Sequence, residues 1–187
     1  MDLIKVANLY YDLLVELGYD PDDPDLRRTP ERCAAAWSEF IDYDPGNTDV
    51  TFETVNTNAL VAVSGIEVWS MCEHHLLPFH AVVSIAMIPR AGQVLGLSKF
   101  ARIAHQFACR LQNQERLTAE IAGEVIDLSK SPDVAVVIQG SHLCAVMRGI
   151  KSPMTMHTAE MRGLFETDHA LRAEFYQLIK PGLAWTK

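Results

Sequence analysis

The order in which hydrophobic periods change along this chain predicts an α+β domain built on an antiparallel sheet. Three observations carry that expectation: helical spacing through the first fifty residues, two short β-branched runs flanking a polar loop, and a helix pair before a second strand-rich stretch. A doubly wound sheet would alternate strand with helix, and this order does not.

Each element has its own signal. Leu3, Val6, Leu9, Tyr10, Leu13 and Leu14 recur at helical spacing and predict a first helix, ended by the turn-rich stretch that begins at Gly18. Thr29 as N-cap, Pro30 in the first turn and Glu31 as an early acid predict a second helix through Ala34, Ala35, Trp37, Phe40 and Ile41. The turn Tyr43-Asp44-Pro45-Gly46-Asn47 closes it. Residues 59–70 and 80–89 are rich in β-branched side chains and predict two strands around the segment MCEHHLLPF. Phe100, Ala101, Ala104, Phe107, Ala108 and Leu111 then mark one helix face, and Leu117, Ile121, Val125 and Leu128 mark another. Asp133 to Met147 is expected to be a strand, MTMHTAEMRGLF another, and Leu171 to Ile179 a closing helix. No internal repeat or low-complexity tract is present.

A chain of 187 residues, 49% of them apolar, can bury roughly 70% of the surface its unfolded form exposes, so one domain over residues 1–187 is expected. Within it, a helical segment at 1–45 precedes a sheet-bearing core at 58–187. The opening stretch is broken by Asp2, Lys5, Asp12 and Glu16, and no uncharged apolar run reaches the length of about eighteen residues that a membrane span needs. Neither a span nor a signal peptide is therefore expected, and the protein is placed in the cytoplasm. A net charge of −8 argues against a nucleic-acid footprint but leaves room for a small anion held by a few cations in one cleft. The four cysteines, at 33, 72, 109 and 144, are too scattered for a disulfide scaffold and are expected as thiols.

Thiols can bind metal. Cys72, His74 and His75 crowd one loop, and His142 with Cys144 follows about seventy residues later. Cys72 and His75, three apart, can face one side of a turn; His142 and Cys144, two apart, are expected to share one face of a strand. Four such donors could converge on one pocket. Three protein ligands plus a water is the catalytic pattern for zinc, and a closed four-ligand shell the structural one. Any one of these residues alone reads more readily as packing, and for Cys33 and Cys109, on apolar helical stretches, packing is the better reading. Together they read as a metal site, because packing gives a polar loop no reason to gather a cysteine and two histidines.

A second constellation suits an anion and a base. Leu97-Ser98-Lys99 opens a helix, so Ser98 can cap it and the free N–H groups with Lys99 form an anion site. Arg102 lies on the next turn, and Arg148, four residues after Cys144, could bring a planar fork to phosphate oxygens near the metal. Gln114 and Glu115 lie at a junction between helices, where a carboxylate can accept the paired N–H donors of a guanine edge. Taken alone, Lys99 and Arg102 are explained equally well as a solvated helix face, and Gln114 with Glu115 better as an ordinary helix cap. No GxGxxG, and no GxxxxGK followed by Ser or Thr, occurs, so a nucleotide site would be built without those loops.

Taken together, SMCEHHLLPF, VLGLSKFARI, RLQNQERLT and SHLCAVMRGI resemble the successive signature blocks of the GTP cyclohydrolase I family, in its order and near its spacing, from about Thr29 to the last helix. The resemblance implies that Cys72, His75 and Cys144 hold Zn2+ and that His74 and His142 are the two catalytic histidines. It sets Ser98, Lys99, Arg102 and Arg148 on the triphosphate of GTP, with Gln114 and Glu115 around the purine and ribose. It implies the tunnelling fold, in which sheets of neighbouring subunits join into a barrel. The assembly implied is a homodecamer of two stacked pentamers with active sites between subunits, Arg102 coming from a neighbour. The implied reaction is attack of zinc-activated water on C8 of the purine once His142 has protonated N7, with His74 assisting proton transfers. The imidazole ring opens, C8 leaves as formate, and the ribose rearranges and recloses to 7,8-dihydroneopterin triphosphate. No redox cofactor is expected.

Two stretches depart from the family pattern. His80-Ala81-Val82-Val83 lacks the basic residue usual after Pro78-Phe79, and Met154 to Arg162 replaces a Thr/Ser-rich run, adding His157 and Glu160. A long N-terminal extension of the kind that carries regulation in some relatives is not expected. Two alternatives stand beside the main reading: a related tunnelling-fold enzyme for another purine or pterin, and a zinc-stabilised binding protein without chemistry. His74 and His142 speak against the second, since a structural metal gains nothing from two unligated imidazoles.

Overall fold

A computed structural model describes residues 1–53, 59–90 and 92–180; the expected start of the core at residue 58, and its residues 181–187, lie outside that range. The chain divides into two compact units between Asp44 and Pro45.

The first unit is a helix pair, α1 (Leu3–Glu16) and α2 (Thr29–Ile41). Asp2 caps α1 by accepting from the Lys5 amide. Trp37 Nε1 donates to the Tyr10 hydroxyl, and Ala34 is buried between the helices. Thr29, expected as the N-cap of α2, lies inside the helix instead. Its amide already bonds Leu26 O, which moves the half-helical position back to Arg28, a residue with no side-chain cap bond.

The second unit centres on a five-stranded sheet in the order β5-β2-β3-β6-β7, the edge strand β5 being Leu111–Gln112. β2 (Val61–Cys72) and β3 (Leu77–Met87) form a hairpin around the cysteine and histidine loop, β3 pairs antiparallel with β6 (Val134–His142), and β6 with β7 (Met156–Met161). Between the strand pairs run α3 (Leu97–Ala108) and α4 (Gln114–Ser129). The described residues end with two short helices, α6 (Leu164–Thr167) and α7 (His169–Leu178).

Alternation along the strands decides what each face covers. On one face Val68, Phe79, Ala81, Val83, Ile85, Val136 and Ile138 pack against Phe100, Ile103 and Ala104 of α3 and Leu117, Ile121 and Val125 of α4. On the other, Ala86, Ile88, Ala135 and Val137 pack against Phe165 and Phe175. Further along that second face Glu67 and Trp69 are exposed, with the His80 ring tilted against Trp69, centroids 4.9 Å apart, and His80 Nε2 3.7 Å from Glu67. The expected α+β class with an antiparallel sheet and an inserted helix pair is thus the architecture found. Among the described residues no helix is long and apolar enough to cross a membrane.

Several element boundaries differ from the sequence expectation. Leu111 does not continue α3. That helix stops at Ala108, its late carbonyl Phe107 O accepting from Gln112 Nε2, and Leu111–Gln112 becomes β5, paired parallel with Met71 and Cys72 of β2. Ser98 does not cap α3, because Gly96 takes the cap position and Ser98 falls in the first turn, where no side-chain cap bond forms. A small sheet of β1 (Thr51–Glu53) and β4 (Gln93–Leu95) packs Phe52 over Gly96, where a Cβ would approach the ring to 2.8 Å. Residues 133–147 are not one strand. β6 ends at His142, paired with Phe79; the next partner would be Pro78, which has no N–H, and the chain turns into the short helix α5 (Leu143–Val146).

Candidate active site

The β2–β3 hairpin places Cys72 at the end of one strand and the two histidines in the turn. His75 N and Leu76 N both bond Cys72 O, at 3.3 and 2.9 Å, and the turn closes through Leu76 at φ 51°, a left-handed conformation that costs a leucine about 1 kcal/mol or more. Cys144 reaches the same place from α5. It does so from the first turn of a helix, so it does not share a strand face with His142 as its spacing suggested.

Cys72 Sγ lies 3.9 Å from Cys144 Sγ and 3.9 Å from His75 Nδ1, and all three donor atoms fall within 4.8 Å of one another. Both cysteines are free thiols. A tetrahedral zinc with Zn–S bonds of about 2.3 Å sets two sulfurs about 3.8 Å apart, so the donor set fits that ion in chemistry and in size. His74 Nδ1 is 3.8 Å from Cys72 Sγ, but His74 is not one of the mutually close three, and its side chain is largely exposed. Burial and the neighbouring Cys72 push the Cys144 thiol above its ordinary pKa, against the pull of Arg148.

His142 is half-buried at the end of β6. Its ring stacks on Phe79, centroids 4.4 Å apart and planes 11° from parallel, and its Nε2 lies 3.0 Å from Gln114 Oε1. Burial lowers its pKa, and the exposed carboxylate of Glu115 partly offsets this. Gln114, the first residue of α4, is only 1% exposed, and its amide is also bonded to Ile138 O, Met156 O and Thr158 Oγ1.

On α3, Ser98 is exposed, the Lys99 ammonium donates to Asn47 O, and the Arg102 guanidinium donates to Pro45 O. Arg148 is exposed just beyond α5.

Sequence reasoning passed over what holds the loop. Glu73, between Cys72 and His74, accepts from Asn113 Nδ2 at 2.9 Å and from Arg116 at 2.6 Å, while its amide donates to Gln112 O. These hydrogen bonds hold its carboxyl below the usual carboxylate range. Buried Gln112 accepts from Arg116 Nε and donates to Glu120, tying loop, β5 and α4 into one network. The only signal in the sequence was position: an acid between two candidate ligands, and a basic residue two after Gln114.

An antiparallel sheet with a helix pair between its strand pairs, gathering cysteines and histidines at one end, has the build of a tunnelling-fold enzyme. The sequence profile of GTP cyclohydrolase I matches residues 6–180, and the chain belongs to that family. The GTP cyclohydrolase 1 of Hyperthermus butylicus is 41% identical over 181 residues, covering 97% of this chain and 93% of that one. The enzyme so named in Thermoanaerobacter pseudethanolicus is 42% identical over 183 residues, covering 96% and 97%. That of Corynebacterium glutamicum is 44% identical over 174 residues, covering 90% and 89%.

Proposed function

We propose that this chain is a GTP cyclohydrolase I: it opens the imidazole ring of GTP by hydrolysis at C8, releases formate, and carries the ribose through rearrangement and reclosure to 7,8-dihydroneopterin triphosphate. The observation that carries the reading is the Cys72, His75 and Cys144 donor set within 4.8 Å, reached from two separate parts of the chain.

Cys72, His75 and Cys144 would hold zinc, which when bound supplies the Lewis acidity that makes water a competent nucleophile near neutral pH. C8 is a poor electrophile until N7 gains a proton, and His142 is the group that gives it. A ring held below its ordinary pKa by burial gives up a proton readily, and the Glu115 carboxylate opposes that lowering. His74, exposed beside the donor set, serves the later proton transfers. Glu115 presents an exposed carboxylate for a guanine edge, with Gln114 behind it. Ser98, Lys99, Arg102 and Arg148 take the triphosphate. Lys99 and Arg102 would exchange backbone carbonyls for phosphate oxygens, charge-assisted partners that bind them more strongly.

The family's assembly is oligomeric, and we propose a homodecamer of two pentamers with sites between subunits, in the cytoplasm. The product would feed folate, biopterin or 7-deazapurine synthesis.

Purified protein given zinc and GTP should release formate and yield a product that fluoresces after oxidation; no formate at high enzyme concentration would overturn the assignment. Cys72→Ser should lose zinc by elemental analysis and lose more activity than the roughly 10–100-fold that a change outside the ligand shell costs. Full metal retention in that variant would contradict the ligand set.

A further inference from the structure

We infer that Gln114 is a positioning residue: it holds the ring of His142 in one orientation and in the tautomer with hydrogen on Nε2, and the missing side chain at Gly140 is what lets it do so. Nδ1 is then the ring atom left for substrate. The functional half of this rests on His142 acting on GTP, as proposed above; the tautomer does not.

Chemistry settles which end of the Gln114 amide is which. One end lies 3.1 Å from Ile138 O and 3.1 Å from Met156 O, two carbonyl oxygens that can only accept, so that end is the NH2. Its third neighbour, Thr158 Oγ1 at 3.1 Å, has its role fixed through Thr118. Thr118 gives its one hydroxyl hydrogen to Gln114 O at 2.7 Å, so across the 2.6 Å contact between the two threonines Thr158 must donate, which leaves its oxygen as a third acceptor sharing the two amide hydrogens with the carbonyls. The other end of the amide is therefore Oε1, which carries no hydrogen. It lies 3.0 Å from His142 Nε2, and the contact is a hydrogen bond only if Nε2 carries the hydrogen. Phe79 fixes the plane of the same ring.

Room for this arrangement comes from β6. A Cβ on Gly140 would stand 2.0 Å from Gln114 Oε1, 3.0 Å from its Cδ and 3.4 Å from His142 Nε2. Even one methyl group must push the amide oxygen off the imidazole. In the protonated ring Gln114 Oε1 keeps its bond to Nε2–H, and the proton to be transferred sits on Nδ1. A buried amide thus does here what an orienting carboxylate does for other catalytic histidines, without its charge.

The test uses zinc-loaded protein with 15N-labelled histidine, comparing wild type with Gly140→Ala, which displaces the amide without removing Gln114 or His142, and Gln114→Met. Nitrogen NMR of wild type should show neutral His142 with Nε2 protonated and Nδ1 bare; Nδ1 protonated instead would overturn the proposal, whatever the activity. In both variants the tautomers should mix. The kcat for formate release should fall about 10–100-fold while KM for GTP changes little. A raised KM with kcat preserved would assign Gln114 to purine binding and sink the positioning role, as would an unchanged tautomer in both variants. If wild type released no formate, the proposed activity would fail while the nitrogen spectra still decided the tautomer.

Discussion

His105, on α3, shows how a residue outside the site sets the pH response of the fold. Burial holds its imidazole below the ordinary pKa. The unfolded chain therefore takes the proton first, so stability is full above the ordinary imidazole pKa and falls as pH drops from there toward the depressed folded value. Between neutral and mildly acidic pH the melting temperature of wild type should fall more steeply than that of His105→Gln; parallel curves would show that His105 contributes nothing to acid lability. At this scale the gathering of Cys72, His74 and His75 with His142 and Cys144 was legible in the sequence as a candidate metal site, and the family resemblance singled out Cys72, His75 and Cys144. Gln114 was legible as a polar residue at a junction between helices, expected around the purine and ribose, and not as a partner of His142. Its true surroundings come from Ile138, Met156 and Thr158, residues far along the chain that no local pattern connects to it.

Elements add what single residues cannot: the β2–β3 loop is held by α4. Glu73 is gripped by Arg116 and Asn113 at the start of that helix, so a carboxylate outside the close donor set fixes the loop that carries Cys72 and His75. Arg116→Ala should weaken zinc retention about tenfold against a competing chelator, with little change in thermal stability because the arginine is well exposed. Retention equal to wild type would show that the loop keeps its shape alone. Periodicity gave β2, β3, β6, α3 and α4, whose apolar positions fall on defined faces of the sheet. It failed where a strand ended for a reason lying on its neighbour. Nothing in residues 143–147 announces a turn of helix; Pro78 on β3, with no N–H to offer, ends the pairing. The three-residue strands β1 and β4 are too short to carry a period at all.

For the whole molecule, the sheet ends in two edge strands, β5 and β7. β5 offers only two residues to β2, and β7 pairs on one side alone among the described residues. Unpaired edges are templates for other strands, and the proposed assembly, joining sheets between subunits, would remove them by closure. Light scattering should therefore report a particle many times the 20.9 kDa of one chain, and a stable, active monomer would overturn the shared-site assembly. This scale was the least readable from the residues, because a sheet edge records where pairing stops and not what continues it.

The spacing of the two sulfurs has a consequence for handling the enzyme. At 3.9 Å, Cys72 and Cys144 need only close to about 2.05 Å, while giving two electrons and two protons to an oxidant, to become a covalent cross-link. The proposed ion, seated between them, would therefore guard the thiols as well as serve the chemistry. Protein stripped of metal and left with a mild oxidant should become lighter by two hydrogens on an intact-mass spectrum and regain activity with zinc only after reduction. Recovery with zinc alone would show that the pair resists bridging.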